Sequence, residues 1–399
     1  MNKQKYMLTN KRPFVYYTRR ENMEYIKNNK YFAQVTGSLE KHATEELEAL
    51  GAEVLQEVSR GVRFQCDKET LYRIVYCSRL ITRVLAPLIS MQCHSEKYLY
   101  NQAFQNINWT ELIDLEQCFS IITNVSNSNI RNSLYAGQIL KDAICDQFKN
   151  KYSKRPNFKP KDGDVVLNLY ITDNWATISF DVSGISLHKR GYREFSNTAP
   201  MQETLAAAII KLSNWTGDKP LYDIMCGSGT LLAEALMLYS RIPAGYLRKD
   251  EHIKLLPDFD EALWEKVKTE ANSQMRECPK GLIYGSDIDE ESVEFTKKNL
   301  KRLPFGENVE VLTSRFQDLT KKENRIIVCN PPYGVRMGSS VSTMYNELGD
   351  FLKQRCPQSE AYILFGKPEM IPELRLRAHW KKTLMNGDIE GKLVKVVLR

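Results

Sequence analysis

Apolar positions along this chain follow two rhythms, and the rhythm changes after residue 185. In the N-terminal half, short period-two runs predict strands at Tyr31–Val35, Glu53–Val58, Gly61–Gln65, Phe119–Asn124, Val165–Ile171 and Trp175–Val182. Helical spacing marks His42–Leu50, through Ala43, Leu47 and Leu50, and Gly51 stops it. Ser133–Phe148 has the same period through Leu134, Ile139, Ala143 and Phe148. Thr70–Tyr76 is also helix-like and runs into the apolar stretch Leu80–Leu88. Thr172-Asp173-Asn174 is a hairpin signal between the last two strands. This order predicts a small α+β domain over residues 31–95 and a second module over 96–185. Residues 1–30 are basic and polar without a period, and are expected to form a loose extension.

Beyond Gly184 the pattern lengthens. Glu203–Leu212 is an apolar-faced helix. Strand candidates Leu221–Met225, Gly281–Ser286, Asn308–Leu312, Arg325–Val328 and Ala361–Phe365 then alternate with helices, as in an open, mostly parallel sheet. Leu255–Gln274 reads as a long, largely helical insertion with Trp264 and Val267 on its buried stripe. Lys381–Leu384 and Lys392–Leu398 flank Asn386-Gly387 and predict an antiparallel or edge hairpin. The expected fold class is α/β: a Rossmann-like sheet over residues 190–399 behind an N-terminal α+β region.

Composition narrows the choice of partner only slightly. The 399 residues suggest two or three domains, and a net charge of +7 permits a polyanionic partner without demanding one. Nine cysteines with no C-x-x-C pair argue against a disulfide framework or a zinc site, and no metal is expected. The first 30 residues are too polar for a signal peptide, and there is no apolar run of about 18 residues. The expectation is a soluble, cytoplasmic protein with no membrane partner. Lys149–Lys161 holds six basic residues, Lys149, Lys151, Lys154, Arg155, Lys159 and Lys161, and no acidic one, with Tyr152 and Phe158 interleaved. Ammonium groups suit phosphates and rings can stack on bases, so nucleic-acid binding stands here against a merely solubilising loop. Lys189, Arg190 and Arg193 form a second basic cluster, and His188 beside it reads as a phosphate contact or surface residue.

The chemistry concentrates at two loops. Leu221–Met225 leads into Cys226, Gly227, Ser228, Gly229 and Thr230, and a helix opens at Leu231. The glycines let the backbone turn tightly and approach a ligand, while the helix N-terminus offers free N–H donors. The third glycine of a dinucleotide fingerprint is replaced by Leu232, and there is no G-K-[ST]. A cofactor with a zwitterionic amino-acid tail fits better. Asp223 would face its ammonium group, Asp287 the ribose hydroxyls and Asp318 the adenine amino group.

The second loop is Asn330-Pro331-Pro332-Tyr333, after the strand Arg325–Val328. An exocyclic amino group on a base is a poor nucleophile because its lone pair is delocalised into the ring. It becomes competent when acceptors hold both N–H bonds as the nitrogen rehybridises. The Asn330 side-chain oxygen and the Pro331 carbonyl are placed to do so, with the Pro331 and Pro332 rings fixing φ and Tyr333 stacking on the base. Cys226 and Cys329 flank the two loops, but neither has an evident base partner for covalent chemistry.

With these motifs in view, residues 190–399 resemble the class I, S-adenosylmethionine-dependent RNA guanine-N2 methyltransferases of the bacterial large-subunit ribosomal RNA type. The resemblance rests on residues 188–193 (HKRGYR), 223–230 (DIMCGSGT), 285–289 (GSDID) and 330–334 (NPPYG). Residues 31–185 resemble the ferredoxin-like region and THUMP domain that accompany this enzyme, the latter an RNA-binding module. The resemblance implies S-adenosyl-L-methionine as cofactor and ribosomal RNA as partner. Asp223 and Gly227 would lie at the methionine part, Asp287 at the ribose and Asp318 at adenine. Asn330, Pro331 and Tyr333 would hold the target base. The tetrapeptide serves adenine N6 equally well, so adenine methylation of RNA or DNA stays open, as does a non-catalytic RNA-binding or assembly role. Some relatives carry a second methyltransferase domain, and this chain is expected to perform at most one half of that double task.

Overall fold

A computed structural model describes residues 23–196, 200–249, 252–332, 338–387 and 389–399. The chain divides into two compact units, one of Met1–Asn28 with Ala86–Phe180, the other of Asn29–Leu85 with Asp181–Arg399.

The first described element is α1 (Glu24–Asn28), which belongs to the first unit. Met23 and Tyr25 are buried there. The loose extension expected through residue 30 is therefore corrected for residues 23–30, because two apolar side chains leave water. Residues 1–22 lie outside the described residues.

The second unit opens with β1 (Lys30–Val35), α2 (Glu40–Ala49), β2 (Glu53–Val58), β3 (Gly61–Gln65), α3 (Lys68–Cys77) and the first half of β4 (Ile81–Gln92). β1 lies antiparallel between β3 and β4, giving the order β2-β3-β1-β4. Asp67 caps α3 by accepting from Thr70 N at 2.8 Å.

The first unit continues from the second half of β4 through α4 (Glu96–Asn106), α5 (Trp109–Leu112), β5 (Cys118–Ser126), α6 (Ser133–Tyr152), β6 (Asn157–Phe158), β7 (Val165–Thr172) and β8 (Trp175–Asp181). β5 pairs in parallel with β6 and β7, and β7 pairs antiparallel with β8. Asp173 and Asn174 both have positive φ, as a two-residue hairpin turn requires.

The remainder of the second unit is the long α/β sheet. Its elements are α7 (Glu203–Leu212), β9 (Leu221–Asp223), α8 (Thr230–Tyr239), α9 (Glu261–Ser273), β10 (Ile283–Asp287), α10 (Glu290–Lys301), β11 (Glu310–Thr313), β12 (Ile326–Cys329), α11 (Gly338–Arg355), β13 (Glu360–Phe365), β14 (Ala378–Asn386) and β15 (Ile389–Val397). The strand order is β11-β10-β9-β12-β13-β15-β14, parallel except at β15, whose pairs are antiparallel. The expected Rossmann-like sheet with its closing hairpin is present. Its core includes Ile327, Ile363, Phe365 and Val394 against Tyr345, Leu348 and Leu352 of α11.

The insertion is less helical than expected. A 3-10 turn at His252–Leu255 is cut off by Pro257, and α9 starts only at Glu261, capped by Asp260. Trp264 and Val267 are buried as predicted. Trp264 meets Tyr72 and Tyr76 of α3 edge-on, at 5.6 and 5.8 Å between ring centres. Among the described residues no helix is long and apolar enough to cross a membrane.

Candidate functional site

Ligands of open α/β sheets sit outside the carboxyl ends of the strands, where the strand order reverses. Here that point lies at β9, which runs parallel between β10 and β12. Asp223 ends β9, Asp287 ends β10 and Asn330 follows β12. Three residues far apart in sequence thus share one edge of the sheet.

The loop between β9 and α8 is wound tightly. Cys226 N donates to Ser286 O at 2.9 Å and Gly229 N to Cys226 O at 2.8 Å. Gly227 and Gly229 have φ of 53° and 82°, in the left-handed region. A Cβ on Gly229 would also lie 2.7 Å from Thr296 Cγ2. Asp287 fastens the loop to β10, its Oδ2 accepting from Gly227 N at 2.8 Å and its Oδ1 from Asp289 N at 3.0 Å. Each oxygen keeps acceptor capacity for a hydroxyl.

Asp223 is only 1% exposed, and its Oδ1 accepts from Met225 N at 3.3 Å. Burial pushes its carboxyl up to about 8; the Met225 hydrogen bond opposes this and the charge of Asp287 adds to it. A carboxylate in this position gains most from a cation, which a ligand ammonium group supplies. Asn330 shows the complementary feature: its Oδ1 is buried with no hydrogen-bond partner among the described residues. Such a group costs about 1–3 kcal/mol until a donor reaches it. A buried acid, a loop without Cβ atoms and a waiting acceptor fit a cationic amino-acid cofactor beside an amino-bearing substrate.

The other expected site residues fall out as follows. Ser228 is buried, Pro331 is buried and Pro332 is exposed. Asp318 is exposed at the end of the 3-10 turn Phe316–Asp318, just after β11. Tyr333 lies outside the described residues. Burial pushes the Cys226 and Cys329 thiols well above their ordinary range, which disfavours a thiolate nucleophile.

The basic segments part company. Lys149, Lys151, Lys154, Arg155, Lys159 and Lys161 are all exposed. Lys151 reaches Thr110 at 3.0 Å and Arg155 reaches Asp146 at 3.4 Å. Lys189 is exposed too. Arg190 and Arg193 correct the expectation of RNA contacts. Arg190 is 1% exposed, with Nε donating to Glu234 Oε1 at 3.4 Å and Nη1 to Leu187 O at 2.6 Å. Arg193 is paired with Glu203 at 3.3 Å and donates to Met201 O and Thr230 Oγ1 at 2.7 and 2.9 Å. Both guanidinium groups point into the fold rather than to solvent. His188 is held down to about 4 by burial and then by the charges of Arg190, Lys189, Arg193 and Arg83, so it stays neutral at pH 7.

Two residues of the site escaped the sequence. Thr296 Oγ1 donates to Gly227 O at 2.6 Å. Asn299 Nδ2 donates to Ser228 O at 3.1 Å and Phe195 O at 2.8 Å, while its Oδ1 accepts from Glu194 N at 3.0 Å. Both lie on the buried face of α10 with Val293 and Leu300. Polar residues in an apolar helical stripe were the available signal.

Known proteins share this fold. A family model described as the RMKL-like methyltransferase domain matches residues 190–395, a THUMP domain model matches 94–181, and a RlmL ferredoxin-like domain model matches 30–85. A candidate RNA methyltransferase of Synechocystis sp., slr0064, is 34% identical over 371 residues, covering 92% of this chain and 96% of that protein. The ribosomal RNA large subunit methyltransferase K/L of Photobacterium profundum is 34% identical over 91% of this chain but only 52% of its own length. The chain thus spans about half of that relative. A crystal structure of a candidate methyltransferase, SMU.472, complexed with SAH superimposes with a TM-score of 0.81 at 27% identity, covering 93% of this chain and 98% of that one.

Proposed function

We propose that this chain, which belongs to the RMKL-like methyltransferase family, moves a methyl group from S-adenosylmethionine to the exocyclic N2 amino group of a guanine in large-subunit ribosomal RNA. The observation that carries the reading is the unpartnered Asn330 Oδ1 on the same sheet edge as buried Asp223. The THUMP match, and the names of the RNA methyltransferases above, favour RNA over DNA.

The bound cofactor would supply an electrophilic methyl on a sulfonium. The chain's own residues do the rest. Asp223 would hold the cofactor's ammonium group and Asp287 its ribose hydroxyls. Asp318 would accept from the adenine amino group. Ile288, 66% exposed directly after Asp287, offers an apolar surface for the adenine ring to cover. Asn330 Oδ1 and the Pro331 carbonyl would accept from the two N–H bonds of the target amino group, drawing its lone pair out of conjugation with the ring. These acceptors act most strongly as positive charge develops on nitrogen, which lowers the barrier rather than merely tightening binding.

The test is methyl transfer from labelled S-adenosylmethionine to ribosomal RNA lacking the modification, followed by nucleoside analysis. The expected product is N2-methylguanosine. Asn330→Ala is expected to lower kcat by about 10²–10³-fold, as for removal of one preorganised polar group at a reacting centre. Its cofactor affinity should be unchanged. Full activity in Asn330→Ala removes the mechanism, and N6-methyladenosine as the product replaces guanine by adenine.

A further inference from the structure

The first unit carries a second feature suited to nucleic acid, distinct from its basic segment. β5, β7 and β8 present one row of side chains away from α6. Helix α6 packs on the opposite face, where a Cβ on Gly137 would lie 2.8 Å from Thr123 Oγ1. On the outward face the register aligns Asn124 with Tyr170 and Thr177, and Ser126 with Thr172 and Trp175. Ser126 Oγ donates to Thr172 Oγ1 at 3.2 Å, which confirms that the last rung shares a face. Tyr170 and Trp175 are diagonal neighbours on adjacent strands, 45% and 46% exposed. Around them stand hydroxyls and an amide, with no aliphatic side chain in these two rungs.

Two large rings left half in water on two otherwise polar end rungs of the sheet are costly for a fold that needs neither in its core. A protein-docking patch of this size would be expected to have an apolar centre. Flat rings surrounded by small hydrogen-bonding groups instead match an unpaired base, whose faces stack and whose edges take Asn, Ser and Thr contacts. The exposed cations lie toward the other end of the same strands. Lys159 N donates to Phe119 O at 3.0 Å, and Phe119 is level with Val165 at the start of β7. From Val165 to Tyr170 the strand rises about 17 Å, a span of a few nucleotides.

We propose that Tyr170 and Trp175 form a stacking platform for unpaired RNA bases, while Lys154, Lys159 and Lys161 hold the phosphates of the same strand. The platform rests on the reading of RNA as substrate. It assigns single-stranded rather than duplex RNA to this unit, because only unpaired bases present their faces.

The experiment measures binding of the full chain to a labelled single-stranded RNA and to a duplex of the same length, over a range of salt. Trp175→Ala and Tyr170→Ala are each expected to weaken single-strand binding about tenfold, in keeping with removal of one base stack. Their salt slope should stay unchanged, and Trp175→Phe should recover most of the affinity. Lys154→Ala with Lys159→Ala should reduce the salt slope instead. Single-strand affinity unaltered in both aromatic variants overturns the platform while leaving RNA as substrate intact, and assigns this face to a protein partner. Equal losses for duplex and single strand also overturn it. A wild-type chain that binds neither RNA removes the platform and the RNA reading together.

Discussion

Two basic stretches that look alike along the chain end in opposite surroundings. Lys149–Lys161 remains in solvent on the first unit, with Arg155 alone of the six meeting a carboxylate among the described residues. Lys189–Arg193 sends both its arginines inward, to Glu234 on α8 and Glu203 on α7. The partner of Arg190 is 44 residues away in sequence. What a cation does is thus decided by the acids the fold delivers to it. An exposed ion pair contributes at most about 1 kcal/mol, whereas a buried one, once formed, becomes costly to break. Outward charges are free to serve a partner, and inward ones hold α7 and α8 behind the cofactor loop.

The contrast between inward and outward cations is tested hardest at Arg190. Arg190→Ala leaves Glu234 buried without its paired cation, with only the Tyr192 hydroxyl still donating to it at 3.2 Å, and is expected to lower the unfolding free energy by about 3–5 kcal/mol. Chemical denaturation of the full chain measures this. A decrease no larger than that of a surface substitution would place Arg190 with the outward group.

Asp223 sharpens the inward side through pH. Its folded carboxyl sits at about 8 against an ordinary 3.8, so the native state holds this proton more tightly than the unfolded chain. The stability it contributes is fully present below about 3.8 and is lost progressively as pH rises to about 8. The thermal midpoint of cofactor-free protein should therefore carry a downward component across that window. Asp223→Asn should remove that component, and an unchanged profile in the variant would show that the acid does not titrate there.

The smallest effect on stability is expected on the outward side. Lys154→Ala with Lys159→Ala should change the unfolding free energy by no more than about 0.5 kcal/mol. The same pair should flatten the log–log dependence of RNA affinity on salt by about 1.4, because each phosphate that a lysine neutralises on a single strand adds roughly 0.7 to the slope. Unfolding curves and salt titrations on one preparation separate the two quantities.

Much of the fold was legible beforehand. Glu53–Val58, Gly61–Gln65 and Glu203–Leu212 appear with the bounds their periodicity predicted. Boundaries moved where a local competitor won. Pro257 and the cap at Asp260 delayed α9, and α6 ran on to Tyr152 before Ser153 stopped it in a left-handed conformation. At the site, Asp223, Gly227, Gly229, Asp287 and Asn330 were readable because each follows from its place at a strand end or turn. Thr296 and Asn299 were not, because their partners are loop carbonyls that α10 meets only after folding.

The sequence by itself therefore determined the order and type of elements, the α/β class of the second half and the candidate residues at the strand ends. These depend on neighbours along the chain, where side-chain period and glycine or proline conformation act locally. Tertiary structure alone decided which cations turn inward, how strongly Asp223 resists ionisation, and that Tyr170 and Trp175 lie half-exposed side by side at one end of a sheet face. Burial, Coulomb pairing and strand register all depend on groups distant in sequence, so no window of residues contains them.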